Sequence, residues 1–182
     1  INERRNTPGE YCKLYRERFL PQQVKSKALG SKVTWILPPH RKYQDLGETA
    51  LTDGLYGGST YVESWVGWEG ADAAFVLDMG EDKEFTKIES DFLHQLGAWV
   101  LLPKGGKYII SNDGEQWEEF GEFIIPEDRS VSVKFTKGTV EKAEPVKARF
   151  IKVEISGTIE CPYWHYGIGF PSWFFVDEVA VY

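Results

Sequence analysis

Two carboxylate-bearing stretches of the sequence could bind a metal ion together. The first, Ala50-Leu51-Thr52-Asp53-Gly54-Leu55-Tyr56-Gly57-Gly58, sets one acid in a glycine-rich turn. Hard cations such as calcium take several oxygen ligands, and a sharply turned backbone can aim carbonyls inward while one Asp supplies charge. Asp-Gly is equally the dipeptide of an ordinary turn, and the loop does not fit the helix-loop-helix calcium pattern. The second stretch is Asp177-Glu178, which interrupts the apolar run Phe174-Phe175-Val176 ahead of Val179. A carboxylate on the buried face of such a strand is costly unless it is paired or metal-bound. If the strand returns beside the loop, Asp53 and Glu178 could share one cation.

A different chemistry is suggested by aromatic residues near loops: Tyr61, Trp65, Trp68, Trp99, Tyr163, Trp164, Tyr166, Phe170 and Trp173. Trp and Tyr faces stack on the CH faces of sugar rings while neighbouring polar groups bond the hydroxyls, the usual plan of a mostly apolar site with a few placed polar groups. His94, Gln95 and Trp99 form one such group, and Tyr163-Trp164-His165 another. Structural capping explains either group equally well. Trp65, Trp117 and Trp173 each abut a strand and are read as plugs of the core.

Catalytic constellations do not emerge. None of His40, His94 or His165 stands with a serine in a Gly-x-Ser-x-Gly setting, and the acids of Glu115 to Glu122 alternate like a solvated strand face. Cys12 and Cys161 lack the paired spacing of a zinc site, and Cys161 beside Pro162 reads as an inert thiol.

These residues need a scaffold, and 182 residues with 42% hydrophobic content provide one domain's core. The formal net charge of −7 disfavours a nucleic-acid partner, which calls for a concentrated positive field. No apolar run reaches the roughly 18 residues of a membrane span, so membrane insertion is not expected. Residues 1–30 are basic and broken by Pro8-Gly9, with Tyr11, Leu14, Tyr15 and Phe19 at helical spacing, which predicts a short helix over about 10–20 in a linker or the tail of a preceding domain. The start at Ile1, without Met or leader, reads as a mature or excised piece of something longer.

From residue 31 to 182 the pattern is that of an all-β sandwich. Strands are predicted at Lys32–Leu37, Ala74–Met79, Phe85–Leu93, Trp99–Leu102, Lys107–Ser111, Trp117–Ile124, Ser130–Phe135, Arg149–Ile155 and Trp173–Val181, with a hairpin turn at Ser111-Asn112-Asp113-Gly114. Long loops between Pro38 and Trp68 and between Thr158 and Ser172 are where sites are expected.

Taken in order, Ala50-Leu51-Thr52-Asp53-Gly54, Trp65-Val66-Gly67-Trp68-Glu69-Gly70, Phe75-Val76-Leu77-Asp78-Met79-Gly80, Ser111-Asn112-Asp113-Gly114-Glu115-Gln116-Trp117, Ala148-Arg149-Phe150-Ile151-Lys152-Val153 and Phe175-Val176-Asp177-Glu178-Val179 resemble the coagulation factor V/VIII type C, or discoidin, domains. More narrowly they resemble family 32 carbohydrate-binding modules. Cys161-Pro162-Tyr163-Trp164-His165 is similar to modules at the C-terminal end of bacterial family 20 glycoside hydrolases, the β-hexosaminidases.

The resemblance implies a jelly-roll β-sandwich of the galactose-binding-domain-like type, after the short N-terminal helical segment, with a structural calcium. Its ligands would be Asp53 and Glu178, completed by backbone oxygens near Ala50, Leu55, Ser59 or Thr60 and by Asp177. Leu55 and the Gly57-Gly58 pair depart from the usual loop, which has an Asn and a closely following Thr. Sugar contacts would come from His94, Gln95, Trp99, Trp164 and His165. The expected protein is a monomeric, non-catalytic module of a secreted, periplasmic or cell-surface bacterial glycoside hydrolase, adjacent to its catalytic domain and binding galactose or N-acetylhexosamine glycans. The alternative is a spacer that packs on the catalytic domain and binds no sugar.

Overall fold

In the computed structural model of the chain, residues 25–62 and 64–182 are described. The expected helix over 10–20 and Cys12 lie outside the described residues.

Two long strands organise the domain. The pieces Ala74–Met79 and Phe85–Leu93 belong to one strand, β3 (Ala73–His94), and Arg149–Ile155 is the far end of another, β6 (Lys134–Ser156). They pair antiparallel along most of their length, with register shifts between Asp78 and Lys83 and between Phe85 and Lys87. The first shift is built around Gly80, whose φ of +82° suits a residue without Cβ. Asp78 fixes that corner: its Oδ1 accepts from Gly80 N at 2.8 Å, and its two oxygens receive Nε and Nη2 of Arg149 at 2.7 and 2.8 Å. This bidentate pair holds the Asp78 carboxyl below its ordinary pKa.

Bending lets the two strands contribute to both layers. The first part of β3 pairs with β1 (Lys32–Leu37) and with the end of β6, which also pairs with β4 (Gly105–Ser111); β4 pairs with β5 (Glu118–Ile124). The second part of β3 pairs with the start of β6 and with β7 (Trp173–Val181), beside which lies β2 (Val66–Glu69). The two faces meet through aromatics: Phe85 with Phe120, Phe92 with Phe123 and Trp68 with Phe75, at ring-centroid distances of 5.6, 6.0 and 6.3 Å. This is the expected all-β, jelly-roll architecture.

Differences from the sequence reading have local causes. Trp99–Leu102 forms only isolated bridges, Val100 pairing with Gln95 and Trp173, and Ser130–Phe135 is largely loop because β6 begins at Lys134. Trp65 is buried in the core, whereas Trp117 and Trp173 are only partly buried. Ser26–Gly30 are tied to the body: Lys27 N donates to Val181 O, Gly30 N donates to Thr52 O, and Ala28 is fully buried. Among the described residues no helix is long and apolar enough to cross a membrane.

A polar cluster sits where β3 meets β6. Lys137 Nζ donates to Glu89 Oε1 at 2.7 Å, and Asp91 lies opposite Lys137 in the ladder. Burial, reinforced by the Glu89 charge and opposed by Lys137, pushes the Asp91 carboxyl up to about 6. A carboxyl pKa raised on folding leaves its stability contribution intact below the unfolded value, near 4, and loses it as pH rises through about 6. Asp91→Asn is therefore expected to raise the melting temperature by a few degrees at pH 7 and by little at pH 4, as read by thermal unfolding at both pH values.

Candidate binding loops at the ends of the sandwich

The loop containing Asp53 is fastened to β7 by Val179 N donating to Leu51 O at 2.8 Å, so the Asp53-Gly54 turn lies over Glu178. Gly54 N is 3.2 Å from both Oε1 and Oε2 of Glu178, Leu55 N donates to Asp53 Oδ1 at 2.9 Å, and Gly57 N donates to Asp177 Oδ2. Asp177 and Glu178 are each about 1% exposed.

Neighbours in a regular strand point to opposite faces, so two consecutive acids reaching one loop require an irregularity. The β3–β7 ladder supplies it: Ser90 pairs with Val179 and Phe92 with Val176, leaving Asp91 alone opposite both Asp177 and Glu178. Such a two-against-one bulge re-aims side chains.

The Gly57-Gly58 pair also has a packing cause. A Cβ on Gly57 would fall 2.0 Å from Cε2 of Trp65, and the Trp65 indole N–H donates to Gly58 O at 2.9 Å. The departure from the usual loop is thus the seat of a buried tryptophan. Hydrogen bonds from Gly54 N and Gly57 N bring the Glu178 and Asp177 carboxylates to the loop that carries Asp53. Among the described residues no three His, Cys, Asp or Glu side chains are grouped to hold a metal by themselves, so backbone carbonyls would have to supply much of the shell.

The aromatic loops are built differently. Gln95 and Val100 exchange backbone hydrogen bonds of 3.0 and 3.2 Å, closing a tight turn in which Trp99 has φ +63° and ψ +21°. A left-handed backbone is uncommon for a residue this large, and here neighbouring rings fix it. Trp99 lies 6.1, 5.8 and 5.8 Å from the rings of His165, Tyr166 and Phe170. The second loop is closed by Cys161 N donating to Phe170 O and Gly169 N donating to Cys161 O.

Both histidines are buried ties. His94 is fully buried, with Nε2 2.9 Å from Ser130 O. His165, about 3% exposed, accepts from Gly167 N at Nδ1, which leaves the proton on Nε2 to donate to Leu96 O at 3.3 Å. Tyr166 Oη donates to Gly97 O, a second link between the loops. Gly167 makes the close approach possible, since its Cβ would stand 3.0 Å from Cζ2 of Trp99 and 3.2 Å from Nδ1 of His165. Gly167→Ala is expected to lower the melting temperature by a few degrees, corresponding to about 1–2 kcal/mol of overpacking.

Trp164 faces elsewhere. It borders a cleft of about 550 Å³ lined also by Leu102, Ile125, Ile159, Lys104, Glu127 and Glu160. Its indole N–H donates to Glu127 Oε2 at 3.0 Å, Arg129 Nε donates to Glu127 Oε1 at 2.6 Å, and the guanidinium lies 5.1 Å from the Trp164 ring and 5.8 Å from that of Tyr163. Arg129 and Trp164 hold the Glu127 carboxyl below its usual range. Next to it, Asp128 accepts from Ser130 N and Lys134 Nζ, both at 2.7 Å. The structure thus brings Gln95, Trp99 and His165 together, puts Trp164 on an adjoining cleft, and turns His94 inward. Sequence reasoning missed Glu127, Arg129, Lys104 and Glu160; Pro126 before an acid-acid-base triplet reads as an ordinary solvated turn.

No curated protein matches the chain. Among solved structures it is similar to a Ruminococcus gnavus GH29 fucosidase in complex with fucose (15% identity, TM-score 0.56, covering 87% of this chain and 26% of that one). It is also similar to CBM32-1 from a family 31 glycoside hydrolase of Clostridium perfringens (18%, 0.52, 84% and 94%) and to a fucolectin from the serum of the striped bass Morone saxatilis (19%, 0.56, 87% and 48%). The chain spans about a quarter of the length of the GH29 chains it matches. At these identities the likeness is one of fold. A sequence-family model of the F5/8 type C domain matches residues 39–174, well over half of the chain. By that match the chain belongs to the F5/8 type C domain family.

Proposed function

We propose that this domain is a carbohydrate-binding module that holds a glycan against Trp164. The domain itself is non-catalytic, and its fold is shared with carbohydrate-binding and lectin modules. The observation that carries the reading is the Trp164 cleft. It joins a tryptophan held in place by Glu127 and Arg129 to aliphatic walls and to the polar heads of Lys104 and Glu160. Stacking would bind the apolar face of a sugar, and the polar heads would bond its hydroxyls. Gln95 and Trp99 stand on the neighbouring loop, while His94 and His165 act by holding the loops in register.

In the finer reading, the module resembles family 32, serves a secreted, periplasmic or surface-attached bacterial glycoside hydrolase such as a family 20 β-hexosaminidase, and works as a monomer. Galactose or N-acetylhexosamine glycans are its ligands, and a calcium ion held by Asp53, Glu178, Asp177 and carbonyls near Ala50 and Leu55 fixes the loop at β7. That ion would supply charge neutralisation and loop geometry.

A glycan array on the isolated chain, in calcium and in chelator, tests this reading. The expected result is a specific hit among galactose- or N-acetylhexosamine-terminated glycans. A blank array from folded protein would overturn it in favour of the spacer, for which the exposed rings of Tyr163, Tyr166 and Phe170 offer an apolar contact face.

A further inference from the structure

A second depression lies at the other end of the β4–β5 hairpin. The Trp164 cleft opens at Lys104 and Ile125, beside the start of β4 and the end of β5, whereas this depression opens at Ser111 and Trp117, where β4 ends and β5 is about to begin. Its volume is about 350 Å³, at the small end of ligand sites and sized for a single ring. Trp117, read from sequence as a plug of the core, is instead a half-buried wall of this depression, with the Lys152 ammonium 4.8 Å from its ring centroid.

Three exposed polar heads surround that wall: the amides of Asn112 and Gln116 and the ammonium of Lys147. Among the described residues none of the three side chains is engaged in a hydrogen bond or an ion pair, so each is available to a ligand. The turn presenting the two amides is already ordered, and Lys147 stands on β6. Asp113 Oδ1 accepts from Glu115 N and Gln116 N at 2.8 Å each and from Ser111 Oγ at 3.0 Å, and Ser111 Oγ accepts from Gly114 N at 2.9 Å. A ligand docking there would not have to order the loop first.

The charges decide the ligand class. Asp113 and Glu118 stand on the same rim as Lys147, so an anion meets carboxylates and a cation meets lysines. A neutral molecule with one apolar face and several hydroxyls satisfies the indole, the two amides and the ammonium together. We propose that the depression at Trp117 is a second saccharide site, taking one neutral pyranose ring, separate from the cleft at Trp164.

The test is NMR titration of the full chain, labelled with ¹⁵N, with galactose and with N-acetylglucosamine. The expected result is saturable movement of the Asn112 and Gln116 side-chain amide signals and the Trp117 indole signal, retained in Trp164→Ala. The double variant Gln116→Ala with Lys147→Ala changes only exposed positions and is expected to bind about tenfold more weakly at this site. Signals that stay fixed for both sugars, or that move in the wild type but not in Trp164→Ala, would overturn the proposal. The Trp164 indole signal reports the cleft separately, so failure at one site is distinguishable from failure at the other.

Discussion

Trp164→Ala is expected to weaken glycan binding by about 30-fold or more while leaving the melting temperature within a degree or two of wild type. Tryptophan is enriched among the hot spots of binding sites, whose truncation to Ala costs about 2 kcal/mol or more, which sets that fold-change. The small effect on stability follows from the setting, because the ring is only partly buried and its indole makes one hydrogen bond, to Glu127. Trp164→Phe separates the two contributions of the ring. It keeps an apolar stacking face and gives up the N–H to Glu127, so intermediate binding is expected. Isothermal titration with the glycan identified on the array, alongside thermal unfolding, reads both quantities. Unchanged affinity in Trp164→Ala would move the site to the Trp99, Tyr166 and Phe170 face.

The strands most legible in the sequence are those with uninterrupted alternation or apolar character: Lys32–Leu37 and Trp173–Val181 appear with the expected bounds. The start of β6 was not legible. Thr136 to Lys147 is rich in Lys and Glu with many exposed positions, and it is a strand because β3 pairs with it across the corner at Gly80. Strand β2 was hidden for the opposite reason, since Val66-Gly67-Trp68 is short and sits inside a run of loop residues. Gly67 lies so near the Phe175 ring that any Cβ would fall 2.4 Å from it, a pairing visible only once β7 is in place.

The site residues divide along similar lines. Residue type pointed to Trp164, Trp99 and the two histidines, but type does not say which way a side chain turns. His94 and His165 carry the donors and acceptors a sugar would use, yet backbone carbonyls and an amide engage them inside the fold. Their polarity holds loops together, which in turn positions Trp99 and Trp164. Glu127 and Arg129 gave no signal in sequence because their value lies in a contact across 35 or more residues, between the turn after β5 and the loop before β7. The acids at β7 were legible as a conflict, two charges in an apolar strand, though the bulge opposite Asp91 that sends both to one loop was not.

That conflict gives Glu178 a large expected effect on stability. Its side chain is almost wholly buried and stands 3.2 Å from Gly54 N through each oxygen. Glu178→Ala removes a charged acceptor from a buried amide and leaves a void, at a cost of roughly 2–4 kcal/mol. For a domain of this size that corresponds to a fall in melting temperature on the order of 10 °C. The proposed calcium would add a second effect, since a ligand held only by the folded state stabilises it by about 2.7 kcal/mol at one hundred times its dissociation constant. The wild type is therefore expected to melt several degrees higher in calcium than in chelator, and Glu178→Ala to melt alike in both. Glu178→Gln is the discriminating variant: it retains an oxygen acceptor for Gly54 N but lacks the charge a hard cation needs. Its melting temperature in chelator should lie near that of wild type in chelator, with the calcium increment gone. If the wild type melts alike with and without calcium, the buried acids serve the loop through Gly54 and Gly57 alone, and their placement beside Asp53 reflects folding rather than metal binding.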